Sequence, residues 1–107
     1  MKLNVIERVL LGNALSGQEG NFVTLKLIRD AREEMSFNDE ENRKLHFANS
    51  NGKLVWDPEM AMEIGEVEIP LSDTVKDLIK KILLDMNDKA KLTEYHFSLY
   101  EKFVVSN

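Results

Sequence analysis

Residues 72–104 read SDTVKDLIKKILLDMNDKAKLTEYHFSLYEKFV, and this stretch decides the fold. Its first half places apolar residues at helical spacing, and Ser72 stands where an N-cap residue is expected. The apolar positions of this face are Val75, Leu78, Ile79, Ile82 and Met86. Residues 87–91 form a polar link, after which Thr93 is placed to cap a second helix. The stretch therefore predicts a C-terminal helical hairpin against which the rest of the chain folds.

Three further helices are predicted on the N-terminal side. In residues 3–15, Asn4 is followed three positions later by Glu7, which is the capping-box pattern. Residues 22–35 are an uninterrupted run of helix formers with one broad apolar face. Asn38 and Glu41 repeat the capping-box pattern and predict a short helix that ends near Lys44.

The segment HFANSNGKLVW (residues 46–56) predicts a β-hairpin. Its Asn51-Gly52 dipeptide favours a tight turn, and it lies between two runs rich in aromatic and β-branched residues. Residues 66–69 alternate acidic with apolar side chains and predict a third strand. The expected class is α+β, with N-terminal helices, a small antiparallel β-hairpin or three-stranded sheet, and the C-terminal helical hairpin.

Composition narrows the class of protein. The chain has 107 residues, 43% hydrophobic and 31% charged, and we expect one domain over residues 1–107. It has no cysteine, which excludes a disulfide framework and a thiolate zinc site. The net charge of −5 disfavours general nucleic-acid binding. A protein with such a charge could imitate the negative charge of DNA, but a charge of this size more often only keeps a protein soluble.

The sequence also predicts a cytoplasmic protein without a membrane partner. The first 15 residues lack the apolar core of a signal peptide. No apolar run approaches the roughly 18–20 residues that span a bilayer.

Motifs for catalysis or cofactor binding are not found in the sequence. His46 and His96 show no metal-ligand spacing, and His96 lies on the apolar side of the last predicted helix, where a hydrogen-bonded core histidine is usual. The acidic groups at residues 39–41 and 66–68 fit a helix N-terminus and the solvent face of a strand. The glycines form no phosphate-binding motif and no serine lies in GxSxG. We therefore expect a non-enzymatic protein with no cofactor and no metal ion.

One local group of lysines lies on the long helix and in the link that follows it. Lys76 and Lys80 are the candidate contacts to an anionic ligand, supported by Lys81, Lys89 and Lys91. Lysines in such a pattern more often form the solvated face of a helix.

Aromatic residues give a more suggestive signal. Those of the last predicted helix surround it almost completely, so it has more than one apolar face to bury. The second face is covered either by the predicted sheet, which carries Phe47 and Trp56, or by a second copy of the chain or another protein. The candidate interface residues are Trp56, Tyr95, Phe97, Tyr100 and Phe103.

Three segments together resemble small uncharacterised proteins encoded by bacteriophages and prophages. They are LTEYHFSLYEKF (residues 92–103), FVTLKLIRDAREEMSF (residues 22–37) and KLVWDPE (residues 53–59). The resemblance implies a phage accessory protein in the cytoplasm of the host, which binds a host protein or self-assembles in host interaction or counter-defence. One alternative is a sponge that sequesters a nucleotide signal, for which Lys76, Lys80, Trp56 and Tyr95 are the candidate contacts. Another is a structural protein of the virion.

Overall fold

Helices form most of the chain, and a computed structural model describes residues 1–106. In chain order the elements are β1 (Lys2–Leu3), α1 (Val5–Ser16), α2 (Phe22–Met35), α3 (Asp39–Leu45), β2 (Ala48–Ser50), β3 (Lys53–Val55), α4 (Pro58–Ile64), β4 (Val67–Glu68) and α5 (Asp73–Asp88). A C-terminal segment follows, made of a 3₁₀ turn (Glu94–His96), α6 (Phe97–Tyr100) and a π-helical turn (Glu101–Val105). The predicted α+β class is confirmed.

The helices begin where side chains satisfy their first backbone N–H groups. The Asn4 side chain accepts the Glu7 N–H, and the Glu7 carboxylate accepts the Asn4 N–H, both at 2.9 Å. Asn38 and Glu41 form the same reciprocal pair at the start of α3. Both predicted capping boxes are therefore confirmed, and each removes unsatisfied donors from a helix terminus.

Strands pair in two separate antiparallel sheets of two strands each. β2 and β3 form the predicted hairpin, with Ala48 opposite Val55. Asn51 and Gly52 have φ values of 52° and 80°, as a tight turn with two positive φ angles requires. The third strand, β4, does not extend this hairpin into a three-stranded sheet. It pairs with β1, where Leu3 lies opposite Val67 and the Ile69 N–H donates to the Met1 carbonyl at 2.8 Å.

The core lies between α1, α2, α5 and the C-terminal segment, and β1 adds Leu3 to it. Its apolar side chains are Leu3, Leu11, Leu15, Ile28, Ala31, Met35, Ile69, Val75, Ile79, Ile82, Leu83, Leu99 and Phe103. Residues of the N-terminal strand and the C-terminal turn thus share one core. Within residues 1–106, no helix is both long and apolar enough to cross a membrane.

α5 continues to Asp88 and so includes the first two residues of the predicted link, Asn87 and Asp88. Its C-cap is Lys89. The helix ends because Ala90 turns into the left-handed region with φ of 54°. The Lys91 N–H then donates to the Met86 carbonyl at 2.8 Å, which closes the last turn.

Candidate functional site

The C-terminal segment buries one side of its backbone and exposes the other. Tyr95 lies in the opening 3₁₀ turn, and Phe97 lies in α6 about 200° around the helix axis from Leu99. Leu99 and Phe103 are completely buried, whereas Tyr95 is 67% exposed and Phe97 is 68% exposed.

Tyr95 and Phe97 lie beside a shallow depression of about 540 Å³, which Ile6 of α1 also lines. We call these three residues the aromatic patch. Asn4, Glu94 and Ser98 complete the lining with polar groups. Aromatic side chains beside polar groups are a composition that protein–protein contact surfaces often have.

His96 lies between the two exposed aromatics and points into the protein. Its Nδ1 accepts the Thr93 N–H at 3.0 Å and lies 2.9 Å from the Thr93 hydroxyl. Burial lowers the pKa of His96 because it disfavours the charged imidazolium. The predicted core histidine is therefore what the structure contains, and its ring anchors the 3₁₀ turn between Tyr95 and Phe97.

A buried carboxylate fixes the C-terminal segment to α1. Glu7 is only 1% exposed. Its Oε2 accepts the Ser98 hydroxyl at 2.9 Å, and its Oε1 accepts the Lys102 ammonium at 2.8 Å. Lys102 also donates to the Lys2 carbonyl at 2.9 Å and to the Glu66 carboxylate. Two distant parts of the chain, the N-terminal residues Lys2 and Glu7 and the later residue Glu66, thus hold the backbone that carries Tyr95 and Phe97.

The charges in this network stabilise one another. Burial acts to lower the pKa of Lys102, but its hydrogen bonds to Glu66 and Glu7 and their negative charges outweigh that effect and raise it. The hydrogen bond from Lys102, reinforced by its charge, lowers the pKa of Glu66. Lys102 therefore stays protonated in the network through neutral pH.

The remaining candidate interface residues lie in other surroundings. Phe103 belongs to the core. Tyr100 is half-buried and packs against that core. Trp56 is half-buried too, with its ring edge-on to Phe47 at a centroid distance of 6.0 Å. The structure therefore brings only Tyr95 and Phe97 of the five together on an exposed surface.

Arg8, the next residue of α1 after Glu7, makes a second set of contacts. Its guanidinium donates to both carboxylate oxygens of Glu41, at 2.8 and 3.2 Å, and to the main-chain carbonyls of Met35 and Ser36. It also stacks 4.0 Å above the ring of Phe37. The hydrogen bond from Arg8 is the main reason that the pKa of Glu41 is lowered. Sequence reasoning did not single out Arg8, because a charged helical residue is usually solvated.

Beside Arg8, an open groove of about 800 Å³ runs between α1, α2 and the β2–β3 hairpin. Phe37, Phe47 and Leu54 supply apolar walls, and Arg29 and Arg32 add positive charge from α2. No sequence motif marks this groove, because its lining residues are spread over several elements between Arg8 and Leu54.

The predicted anion contacts and histidines do not converge. Lys76 and Lys80 are half-buried on α5 and line neither the groove nor the depression at the aromatic patch. His46 caps the end of α3 with φ of 51° and lines a depression to which His96 does not contribute. The described part of the chain holds no group of three or more histidine, aspartate or glutamate side chains placed to bind a metal ion.

Comparison of the chain with known protein families, with curated proteins and with solved structures gave no match.

Proposed function

We propose that this chain is a non-enzymatic binding protein that captures a partner protein through the aromatic patch. The observation that carries the proposal is the exposure of Tyr95 and Phe97 on either side of a buried histidine. Large aromatic side chains are the commonest anchors of protein–protein contacts, because they bury much apolar area at a small cost in side-chain entropy.

The rigidity of the supporting backbone favours this function. Ser98 and Lys102 of the patch-bearing segment are bound to the buried Glu7, and His96 is bound to Thr93. A surface that is already ordered before binding loses little conformational entropy when the partner docks. The aromatic patch is therefore suited to recognition without a folding step.

The resemblance to bacteriophage and prophage proteins makes a host protein the first partner to test, in host interaction or counter-defence, with the host cytoplasm as the place of action. The other possible protein partner is a second copy of the chain. Either partner would bury the aromatic patch.

Photocrosslinking tests the proposal directly. The photoreactive residue p-benzoylphenylalanine is introduced at Phe97 and, as a matched control, at Phe22, which is 81% exposed at the start of α2. Both variants are expressed in host cells and irradiated, and the adducts are identified by mass spectrometry. We expect one dominant adduct from position 97 that position 22 does not give.

The mass of this adduct separates a host protein from a second copy of the chain. The same set of weak adducts from both positions would contradict the proposal. A dominant adduct at position 97 that still forms when the same chain carries Tyr95→Ser would also contradict it.

Two other functions have their own measurements. A nucleotide sponge would show a thermal shift with nucleotide mixtures, but Lys76, Lys80, Trp56 and Tyr95 do not line one depression that could hold such a ligand. A structural protein of the virion would copurify with phage particles.

A further inference from the structure

We propose that the groove between α1, α2 and the β2–β3 hairpin is a second binding site, which takes an acidic amphipathic helix of a partner protein. It is separate from the aromatic patch, since none of Ile6, Tyr95 and Phe97 lines it. The inference therefore goes beyond the function proposed above.

The apolar part of the groove is accessible. Phe37 and Phe47 pack with tilted rings at a centroid distance of 5.1 Å and are both half-buried. Leu25 and Leu54 line the same groove and are each 43% exposed. These four side chains offer apolar surface to the apolar face of a helix, as grooves do in helix-in-groove complexes.

The charge of the groove is opposite to that of the chain. Its lining contains three arginines and one acidic residue, Glu33, although the whole chain carries a net charge of −5. Arg8 is neutralised by Glu41. Within residues 1–106, Arg29 and Arg32 form no ion pair, so two free positive charges and one negative charge leave a net +1 at the groove. An acidic partner is complementary to this site, and a basic one is not.

Gly12 gives an independent indication of an occupant. It lies inside α1, where glycine is less favourable than alanine, and a Cβ atom added there would meet nothing within 4 Å. Neither packing nor a positive φ angle requires glycine at this position. Gly12 lines the groove, so its bare backbone lets another chain approach α1 closely.

The groove fits a peptide better than a small molecule. Small-molecule sites are concave and carry several polar groups that converge on the ligand. This groove is open along its length, and the described residues contain no buried side-chain polar atom that lacks a hydrogen-bond partner. A helix gains affinity from many apolar contacts along such a groove and needs only a few acidic residues to meet Arg29 and Arg32.

Peptide selection tests this inference without knowledge of the natural partner. A random library of displayed 16-residue peptides is selected on the immobilised full chain, with counter-selection against the Arg29→Glu/Arg32→Glu variant. We expect enriched peptides to be rich in Asp and Glu and to carry apolar residues at i, i+3 or i+4, and i+7. Their affinity should fall at least tenfold with Arg29→Glu/Arg32→Glu and with Gly12→Leu, which places a side chain on the groove floor.

Two controls make the result specific. Lys76→Glu/Lys80→Glu changes charge by the same amount on α5 and should leave peptide affinity unchanged. Circular dichroism and thermal melting establish that each variant is folded. Gly12→Ala is a second variant of the groove. It favours the helical conformation of α1 and should bind the peptides more weakly than wild type.

Several outcomes would overturn the inference. These are enriched peptides that are basic or neutral, equal binding to the Arg29→Glu/Arg32→Glu variant, loss of binding with Tyr95→Ser/Phe97→Ser, or no enrichment at all. A thermal shift with ATP that Arg29→Glu/Arg32→Glu removes would assign the groove to a small anion instead. A failed selection leaves the photocrosslinking at Phe97 unaffected, so the two proposals fail separately.

Discussion

At the scale of single residues, two adjacent charged side chains hold the fold together. Glu7 and Arg8 are both buried, and they bind different partners, Ser98 and Lys102 for Glu7 and Glu41 for Arg8. Sequence periodicity could not predict this, because it assigns charged helical residues to solvent and their partners are 33 and 91 positions away. The capping role of Glu7, by contrast, was readable from its spacing to Asn4.

Replacement of Glu7 by glutamine tests the network below the aromatic patch. The amide keeps the size of the side chain but removes the charge that Lys102 and Ser98 face. We expect the free energy of unfolding to fall by about 1–3 kcal/mol, because Lys102 loses a buried charged partner. Urea denaturation measures the change. Glu101→Gln, on an exposed side chain of the same segment, is the control and should change stability by less than about 0.5 kcal/mol.

His96 should make stability depend on pH just below neutrality. Its pKa is lowered in the folded protein, so the unfolded chain takes up a proton first as the pH falls through its ordinary value of 6.5. As the pH falls from 6.5 to the lower pKa of folded His96, the free energy of unfolding should therefore decrease. Above pH 6.5 the contribution of His96 should stay constant. His96→Gln, which can still accept the Thr93 N–H, should lose less stability between about pH 7.5 and about pH 5.5. Equal losses in the two proteins would refute the role of His96.

At the scale of elements, local signals predicted the helices and the hairpin well. Asn4, Asn38 and Ser72 are N-caps, and Asn51-Gly52 forms the hairpin turn. These features depend on residues within a few positions of one another. The partner of β4 was missed because β1 has only two residues and shows no alternation.

The C-terminal segment was predicted as a helix but not with its changes of helical type. The sequence pattern assumes a constant rotation per residue, whereas this segment contains a 3₁₀ turn and a π-helical turn. The predicted interface included Phe103 with Tyr95 and Phe97 because aromatic residues surround the predicted helix, and the pattern did not show which side is buried; Phe103 is a core residue.

The end of α5 offers a direct test of backbone strain. Ala90 has φ of 54°, which is unfavourable for a residue with a Cβ atom. Ala90→Gly should therefore raise the free energy of unfolding by about 1 kcal/mol. Ala61→Gly, inside α4, should lower it by a similar amount of about 1 kcal/mol. Thermal melting of both variants checks the sign, and a loss of stability in Ala90→Gly would contradict the assigned helix end.

At the scale of the whole molecule, both proposed binding surfaces combine residues that are not neighbours in the sequence. α1 contributes Ile6 to the aromatic patch and Gly12 to the basic groove, so one helix supports both. The net charge of −5 did not predict positive charge at the groove between α1, α2 and the β2–β3 hairpin, because net charge is a sum over the whole chain. The sequence also predicted Lys76 and Lys80 as contacts to an anionic ligand. Both lie on α5 and line neither the groove nor the depression at the aromatic patch, and their role stays a prediction.

Binding through the aromatic patch is tested most directly by the affinity of the partner that crosslinks at position 97. Its dissociation constant is measured by isothermal calorimetry for wild type, Tyr95→Ser/Phe97→Ser and the control Phe22→Ser. If the aromatic patch is the binding site, the double variant should bind at least about 30-fold more weakly, which corresponds to about 2 kcal/mol, and Phe22→Ser should bind like wild type. Equal affinity of the folded double variant and wild type would contradict the claim.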